Sequence, residues 1–550
     1  MQGQLRFFRS WMLLFALYSL ASSTAASSAT DLVIYGATPC GIAAAFAAAR
    51  EGRSSVLLHP LNLIGGMMTG GLGQTDVGDR SVIGGLAHDV FLKIGAKYNS
   101  SGPVYVFEPH VALSVFSDML AEAGIVDKVT LVTDVTIASV QKSGARVTSV
   151  TVAPTAAAVR ASAASPSAWA ELVAPVATTY AGAVFIDASY EGDLIALAGI
   201  STAFGREGNS TYGESLAGRL AVPNAFGGHQ FSVPLDYKDA SGNLLPLITN
   251  ADPGPEGEGD EKVQAFNFRL CLTDVAANQR PLEKPADYDP AQWELLRRYL
   301  AAKWPGGNFS LGSLMNISPL PNRKTDINNN GAISTDVIGA SWGWPEGTPA
   351  QRAALFNAHV SYTRGFLWFL ATDAAVPPAV RADMQRWGLA ADEYGGEWTP
   401  QLYVREGRRM VSDFVFRQQD RETNLTKPDS IGLFSYNIDT HNSQRFPQGD
   451  FVRNEGDIEV FGSKGPGQMP YSMIVPRRGE ATNVLAPVPC SASHLGYGTI
   501  RLEPQFLILG ESTGIAAAQF VAAGGAVQDL DVAALQARLR AVGQLIDMPK

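Results

Sequence analysis

A chain of 550 residues with 46% hydrophobic and 17% charged side chains has material for two or three cored domains, which excludes a disordered chain or a coiled coil. A formal net charge of −10 argues against nucleic acid or an anionic membrane surface as a partner. Cys40, Cys271 and Cys490 allow one disulfide at most and lack zinc-ligand spacing, so the core is expected to carry the stability.

The N-terminus reads as a secretory signal over 1–29. Arg6 and Arg9 form a basic start, Trp11 to Leu20 an apolar stretch, and Ala21 to Ala29 a small-residue region with cleavage points near Ala26 or Ala29. The apolar stretch is about half of the roughly 20 residues that a span requires. No later segment reads as a span, and the exported chain is expected to be soluble. Asn-x-Ser/Thr triplets at Asn99, Asn209, Asn308, Asn316 and Asn424 would be glycosylation acceptors in a eukaryotic source.

Asp31 to Tyr35 (DLVIY) has the apolar run of a buried parallel strand. Gly36-Ala-Thr-Pro-Cys-Gly41 follows, then the alanine-rich helical stretch Ile42 to Arg50, Gly52, and a second strand at Ser54 to Leu58. Strand, glycine turn, helix and strand make a βαβ unit, and the segment Gly36 to Gly41 stands where a dinucleotide fingerprint belongs. Gly36 suits the tight turn, Gly41 the close approach of helix to sheet, and the helix N-terminus offers N–H groups to a pyrophosphate. Thr38 replaces the middle glycine. His59 holds the place of the acid that usually binds the ribose, and an imidazole still offers one hydrogen bond there.

Glycine-rich loops follow at Gly65 to Gly73 and Gly84 to Gly85. Pro109 to Ala123 reads as a helix, Val129 to Val152 as a β-meander, Ala156 to Ala177 as a low-complexity surface insertion, and Ala183 to Asp187 as a further strand. The middle of the chain predicts helices at Pro290 to Lys303, Pro349 to Thr372 and Arg405 to Gln419. A final alanine-rich helix is expected over Gly510 to Ala523. This order suggests a discontinuous α/β chain: a first nucleotide-binding part at 30–212, an inserted α+β substrate or cap domain at 213–467, and a return at 468–550.

Several blocks resemble one family in one order. They are DLVIYGATPCGIAAAFAAAREG from Asp31, IGGMMTGGL from Ile64, FIDASYEGDLIALAG from Phe185, FNFRLCLT from Phe266 and KTDINNNGAISTD from Lys324. LYVREGRRM from Leu402, YNIDTHNSQR from Tyr436, CSASHLGYGTIRLEP from Cys490 and LGESTGIAAA from Leu509 complete the set. Together they resemble the FAD-dependent oxidoreductases of the glutathione-reductase-like flavoproteins, some bacterial members of which are labelled xanthan lyases. The resemblance covers Asp31 to Ala523. It implies a Rossmann-like FAD-binding domain with an inserted domain, and FAD contacts from Gly36, Thr38, Pro39, Cys40, Gly41, His59, Gly65, Gly66, Met67, Asp187, Gly510 and Ser512. Gly510 and Ser512, opening the last helix, would aim N–H groups at the pyrimidine end of the isoalloxazine, which becomes anionic on reduction.

A flavin dehydrogenase or oxidase needs a base. His441 and His494 stand in polar blocks and are candidates for it. Arg501 and Glu503 either position substrate or form a buried ion pair, and Arg405 with Glu406 reads likewise on a helix after Tyr403. Asp326-x-Asn328-x-Asn330-Gly331 looks like half of a calcium loop, but Val337 stands where its bidentate Glu belongs. Gly510-x-Ser512-x-Gly514 matches a hydrolase elbow, yet no histidine follows Ser512. No metal is expected. The sequence thus points to a secreted flavoenzyme that passes hydride from a small-molecule or saccharide substrate to N5. A flavin-assisted carbohydrate-cleaving enzyme and a non-catalytic flavin-binding protein are the alternatives, and the oligomeric state stays open.

Overall fold

A computed structural model describes residues 30–155, 177–221, 229–460 and 465–549. The segment read as a signal, 1–29, and nearly all of the expected 156–177 insertion lie outside the described residues.

The chain opens on strand β1 (Thr30–Tyr35), helix α1 (Pro39–Arg50) and β2 (Ser55–Leu58). A single helical turn, α2 (Gly66–Thr69), is followed by α3 (Gly85–Lys97) and α4 (Pro109–Leu120). Then come β3 (Val129–Val132), β4 (Val135–Ser143), β5 (Arg146–Pro154) and β6 (Thr178–Asp187). One sheet runs β3-β2-β1-β6-β5-β4. β1 lies parallel to both β2 and β6, and its apolar run is unbroken because both faces are covered, Leu32 and Ile34 in one core and Val33 and Tyr35 in another. β4, β5 and the first half of β6 form the antiparallel meander, where alternation replaces continuous hydrophobicity.

The middle of the chain builds a second, antiparallel sheet from β7 (Leu272–Thr273), β8 (Gln279–Pro281), β9 (Met315–Leu320), β10 (Lys324–Asn329) and β11 (Gly388–Ala390). Its order is β9-β10-β7-β11-β8. Helix α5 (Pro349–Thr372) starts at Thr348, which forms a capping box with Gln351 and precedes a proline at the first helical position. Tyr362, Phe366 and Phe369 of α5 close on Trp293, which has no exposed surface. The predicted helix at 290–303 is present as a short 3₁₀ turn followed by Glu294–Lys303.

The C-terminal part returns to the first sheet. β12 (Val484–Leu485) pairs parallel with β6, and α6 (His494–Ile500) and α7 (Glu503–Ala523) follow. α7 crosses α1 backbone to backbone. A Cβ on Gly510 would stand 2.3 Å from Cys40 O, and one on Gly514 2.3 Å from Ala44 O, so small residues on both helices are required. Among the described residues, α7 is long and apolar enough to cross a membrane, contrary to the reading that no later segment is; 78% of its apolar window is buried in this packing.

Two expected elements differ. α7 begins at Glu503, about two turns before Gly510, because Glu503 and Pro504 supply the acidic and proline start signals. Arg405 to Gln419 is not a helix: it is extended, with Arg409–Met410 paired to Thr202–Ala203, and only Gln418–Glu422 is helical. Arg405, Glu406 and Arg409 are all buried, and their ionic contacts with Asp336, His494 and Glu207 hold the segment in its extended path.

Candidate active site

The first turn of α1 is built as its residue types require. Gly36 adopts φ +104°, and a Cβ there would meet Ala188 backbone at 2.6 Å. Thr38 stands in for a glycine but caps the helix: its Oγ accepts from Gly41 N–H at 3.4 Å and donates to Ala188 O at 2.8 Å. Pro39 and Cys40 form the first turn, with its N-terminal dipole end free of acidic residues. The turn Gly65 to Met67 lies against it, since Gly65 N–H donates to Ala37 O at 2.7 Å. Met67 N–H donates to Tyr190 Oη at 3.0 Å, and that hydroxyl donates to Glu503 Oε1 at 2.7 Å, joining this turn to the start of α7.

A cleft of about 530 Å³ opens over the turn at Gly36 and Thr38, within the range of ligand sites, while Gly41 and Gly65 to Met67 lie outside its lining. Gly36, Thr38 and His59 line one wall, and Trp344, Arg352 and Arg408 stand on the other. His59 does not keep a hydrogen bond for a ribose. Its Nδ1 accepts from Ala37 N–H at 3.0 Å and its Nε2 donates to Leu63 O at 3.0 Å, so both ring nitrogens serve the loops. Burial pushes its pKa down to about 4, which keeps the ring neutral. Asp187, unlike His59, does not line the cleft. Its carboxylate accepts from Ser189 N and Oγ and from Ile195 N at 2.7–3.1 Å, shaping the turn Ser189 to Asp193 that does.

The role expected of Gly510 and Ser512 also changes. Both sit inside α7, where helical N–H groups are already used; Gly510 packs on α1 and Ser512 Oγ donates to Ile431 O at 2.6 Å. The start of α7 passes to Arg501 and Glu503, which are not an ion pair. Arg501 donates to Tyr403 Oη at 2.9 Å and to Asp439 O at 3.0 Å. Glu503 is pushed up to about 8 by burial, so it keeps a proton at neutral pH.

A second, strongly polar chamber of about 380 Å³ holds His441, with Asp76, Tyr436 and Asp439 on its walls and Asn328 to Asn330 across from them. His441 Nδ1 lies 2.9 Å from Asp336 Oδ2, and Arg405 holds the other oxygen at 2.9 Å. Burial opposes the charge on Asp336, but Arg405 and His441 outweigh it and hold the carboxyl down to about 2. Burial, then Arg405, lowers the pKa of His441 below its ordinary value, with Asp336 acting in the opposite sense. The imidazole is therefore neutral, with Asp336 fixing a proton on Nδ1 and leaving Nε2, 3.6 Å from Asp439, as a basic nitrogen.

His494 is placed elsewhere. It is buried at the start of α6, its Nδ1 lies 2.7 Å from Glu406 Oε2, and burial followed by Arg409 pushes it down to about 3. It lines neither cavity, because Glu207, Glu406 and Arg409 close around it. Reasoning from sequence also passed over Tyr190, Tyr403, Asp336, Asp76 and Asp439. Four of the five stand in the family-like blocks, but Asp336 pairs with His441 across 105 residues, beyond any spacing rule.

A glycine turn and capped helix over a parallel sheet define a dinucleotide-binding α/β protein. A family model described as FAD dependent oxidoreductase matches residues 31–165 and 171–539. The chain belongs to that family; it is an oxidoreductase enzyme and FAD is its cofactor. No curated protein matches it. Among solved structures, THI4 of Thermovibrio ammonificans is 15% identical over 37% of this chain and 72% of its own, with TM-score 0.23. The OxyS anhydrotetracycline hydroxylase of Streptomyces rimosus is 14% identical over 33% and 36%, with TM-score 0.23. A flavoprotein/dehydrogenase of Cytophaga hutchinsonii is 12% identical over 32% and 43%, with TM-score 0.21. The chain spans less than half the length of the last two.

The residues present fit FAD. The capped α1 terminus faces a cleft of suitable size, while Glu503 Oε2 and Arg501 Nε are buried polar atoms without hydrogen-bond partners at the start of α7. The turns of Gly36 to Gly41 and Gly65 to Met67 would hold the nucleotide portion, and Glu503 and Arg501 would meet the ring system.

Proposed function

We propose that this enzyme oxidises a hydroxyl-rich, carbohydrate-like organic substrate in the His441 chamber. The observation that carries the reading is the Asp336–His441 pair, which puts a neutral imidazole, its Nε2 3.6 Å from Asp439, on the wall of a cavity lined by amides and carboxylates. Such a lining suits hydroxyl groups, each of which can donate and accept. FAD, when bound, supplies the acceptor of hydride at its N5. The chain supplies the rest. Asp336 holds the His441 tautomer, His441 Nε2 takes the hydroxyl proton, and Arg405 keeps Asp336 ionised. Asp439 and Asn328 to Asn330 orient the substrate.

The same reading covers the organisation of the chain: a glutathione-reductase-type FAD domain formed by 30–212 and 468–550, with 213–467 inserted as the substrate domain. The return of β12 to the first sheet supports it. Export is part of the proposal, supported by the basic and apolar pattern of 1–29. Asn99, Asn209, Asn308, Asn316 and Asn424 are exposed, as glycosylation would require. Anaerobic screening of the FAD-loaded protein against sugars, polyols, alcohols and amines tests the substrate class. Bleaching of the flavin by sugars or polyols supports the reading, and bleaching by amines alone refutes it.

A further inference from the structure

The chamber has a second chemical feature on the wall beside the antiparallel pair of Asp439–Thr440 and Ile458–Glu459. His229, Asp457 and Glu459 place one ligand atom each within 4.8 Å of the others. His229 and Glu459 line the cavity, and Asp457 is buried behind them. His229 Nδ1 lies 3.0 Å from Asp457 Oδ2. Asn442, only 3% exposed, brings its amide nitrogen to 3.4 Å from that same carboxylate oxygen, while its Oδ1 has no hydrogen-bond partner. A buried amide oxygen left unpartnered is costly, and with the amide turned over, a cation held by Asp457 would be its partner. The O and N positions of an amide exchange by a simple flip, so this oxygen can face the cluster.

Contrast the cluster of Glu108, His110 and Asp392, which has similar ligand types. There Lys324 Nζ stands 2.7 Å from Glu108 and 2.8 Å from Asp392, so an ammonium already fills the centre.

We propose that His229, Asp457 and Glu459 bind a divalent transition-metal cation on the chamber wall, with Asn442 Oδ1 as an additional oxygen ligand. One imidazole with two carboxylates suits Mn²⁺, Fe²⁺ or Zn²⁺. Binding displaces the proton between His229 and Asp457, because ligands must be deprotonated. A cation there shares the cavity with His441 and polarises a substrate hydroxyl whose proton His441 accepts. That use rests on the substrate reading above; the binding itself does not.

The test is Mn²⁺ titration of the chelator-treated, FAD-loaded full chain, with free Mn²⁺ counted by electron paramagnetic resonance. One Mn²⁺ bound per chain is expected, with affinity at least about tenfold weaker in Glu459→Gln and in His229→Asn. His110→Asn should bind as the wild type does. Flavin absorbance and the melting curve report folding of each variant, and Glu459→Gln, at a half-buried position, decides the matter if His229→Asn does not fold. No binding at millimolar Mn²⁺, or unchanged affinity in Glu459→Gln, overturns the site even if flavin bleaching by polyols succeeds.

Discussion

Replacing Asp336 by Asn separates the energetic and catalytic roles of one buried carboxylate. Its depression from an ordinary 3.8 to about 2 is the signature of partners that favour the charged form. It corresponds to about 2–3 kcal/mol of stability. The sign follows from the depression: the contribution is present above pH ~4 and is lost as pH falls through about 2. Asn also leaves Arg405, 1% exposed, without its ionic partner. The total loss near neutrality should therefore be about 3–5 kcal/mol. Urea unfolding at pH 7 and at stepwise lower pH measures it, with the gap to wild type closing as wild-type Asp336 takes up its proton. In the folded fraction, the His441 tautomer loses its anchor, and kcat should fall about 10²-fold or more with bound flavin retained. Equal urea midpoints at pH 7, or a gap that does not change with pH, would refute the reasoning.

Other outcomes follow from the same contacts. Glu503→Gln removes a carboxyl raised by burial from 4.5 to about 8. Flavin-free wild type should lose stability as pH rises from about 4.5 through 8, and the variant should lose less in thermal melts over that range by on the order of a few kcal/mol, since Glu191 and Glu511, also raised by burial, titrate in both. Gly510→Val should lower stability by about 1–3 kcal/mol or more through the clash with Cys40 O, read as a lower melting temperature. His59→Ala strips the acceptor from Ala37 N–H at a cost of about 1–3 kcal/mol. FAD affinity, measured by fluorescence titration, should weaken with it.

The βαβ unit was legible because each of its residues answers to a local rule: a doubly covered strand is apolar throughout, and a tight turn needs Gly36. Val129 to Val152 likewise alternates because only one face of the meander is covered. The last helix was legible in type but not in start, since the alanines drew attention past Glu503 and Pro504. Arg405 to Met410 misled because its residue types favour helices in isolation, while their burial among Asp336, Glu207 and His494 decides the conformation. The site itself is mostly non-local. His441 was singled out for its polar setting, but the partner that makes it a base lies 105 residues away. His59 was read from its position alone, and the loop carbonyl and amide that occupy both its nitrogens have no trace in the fingerprint.

The claim on which the functional reading turns is that substrate gives up its proton to His441. Anaerobic single-turnover reduction of FAD in wild type and His441→Gln, using a substrate found by the bleaching screen, addresses it directly. The account predicts equal FAD content and a reduction rate at least about 10²-fold slower in the variant. An unchanged rate in a folded, FAD-loaded variant would contradict it.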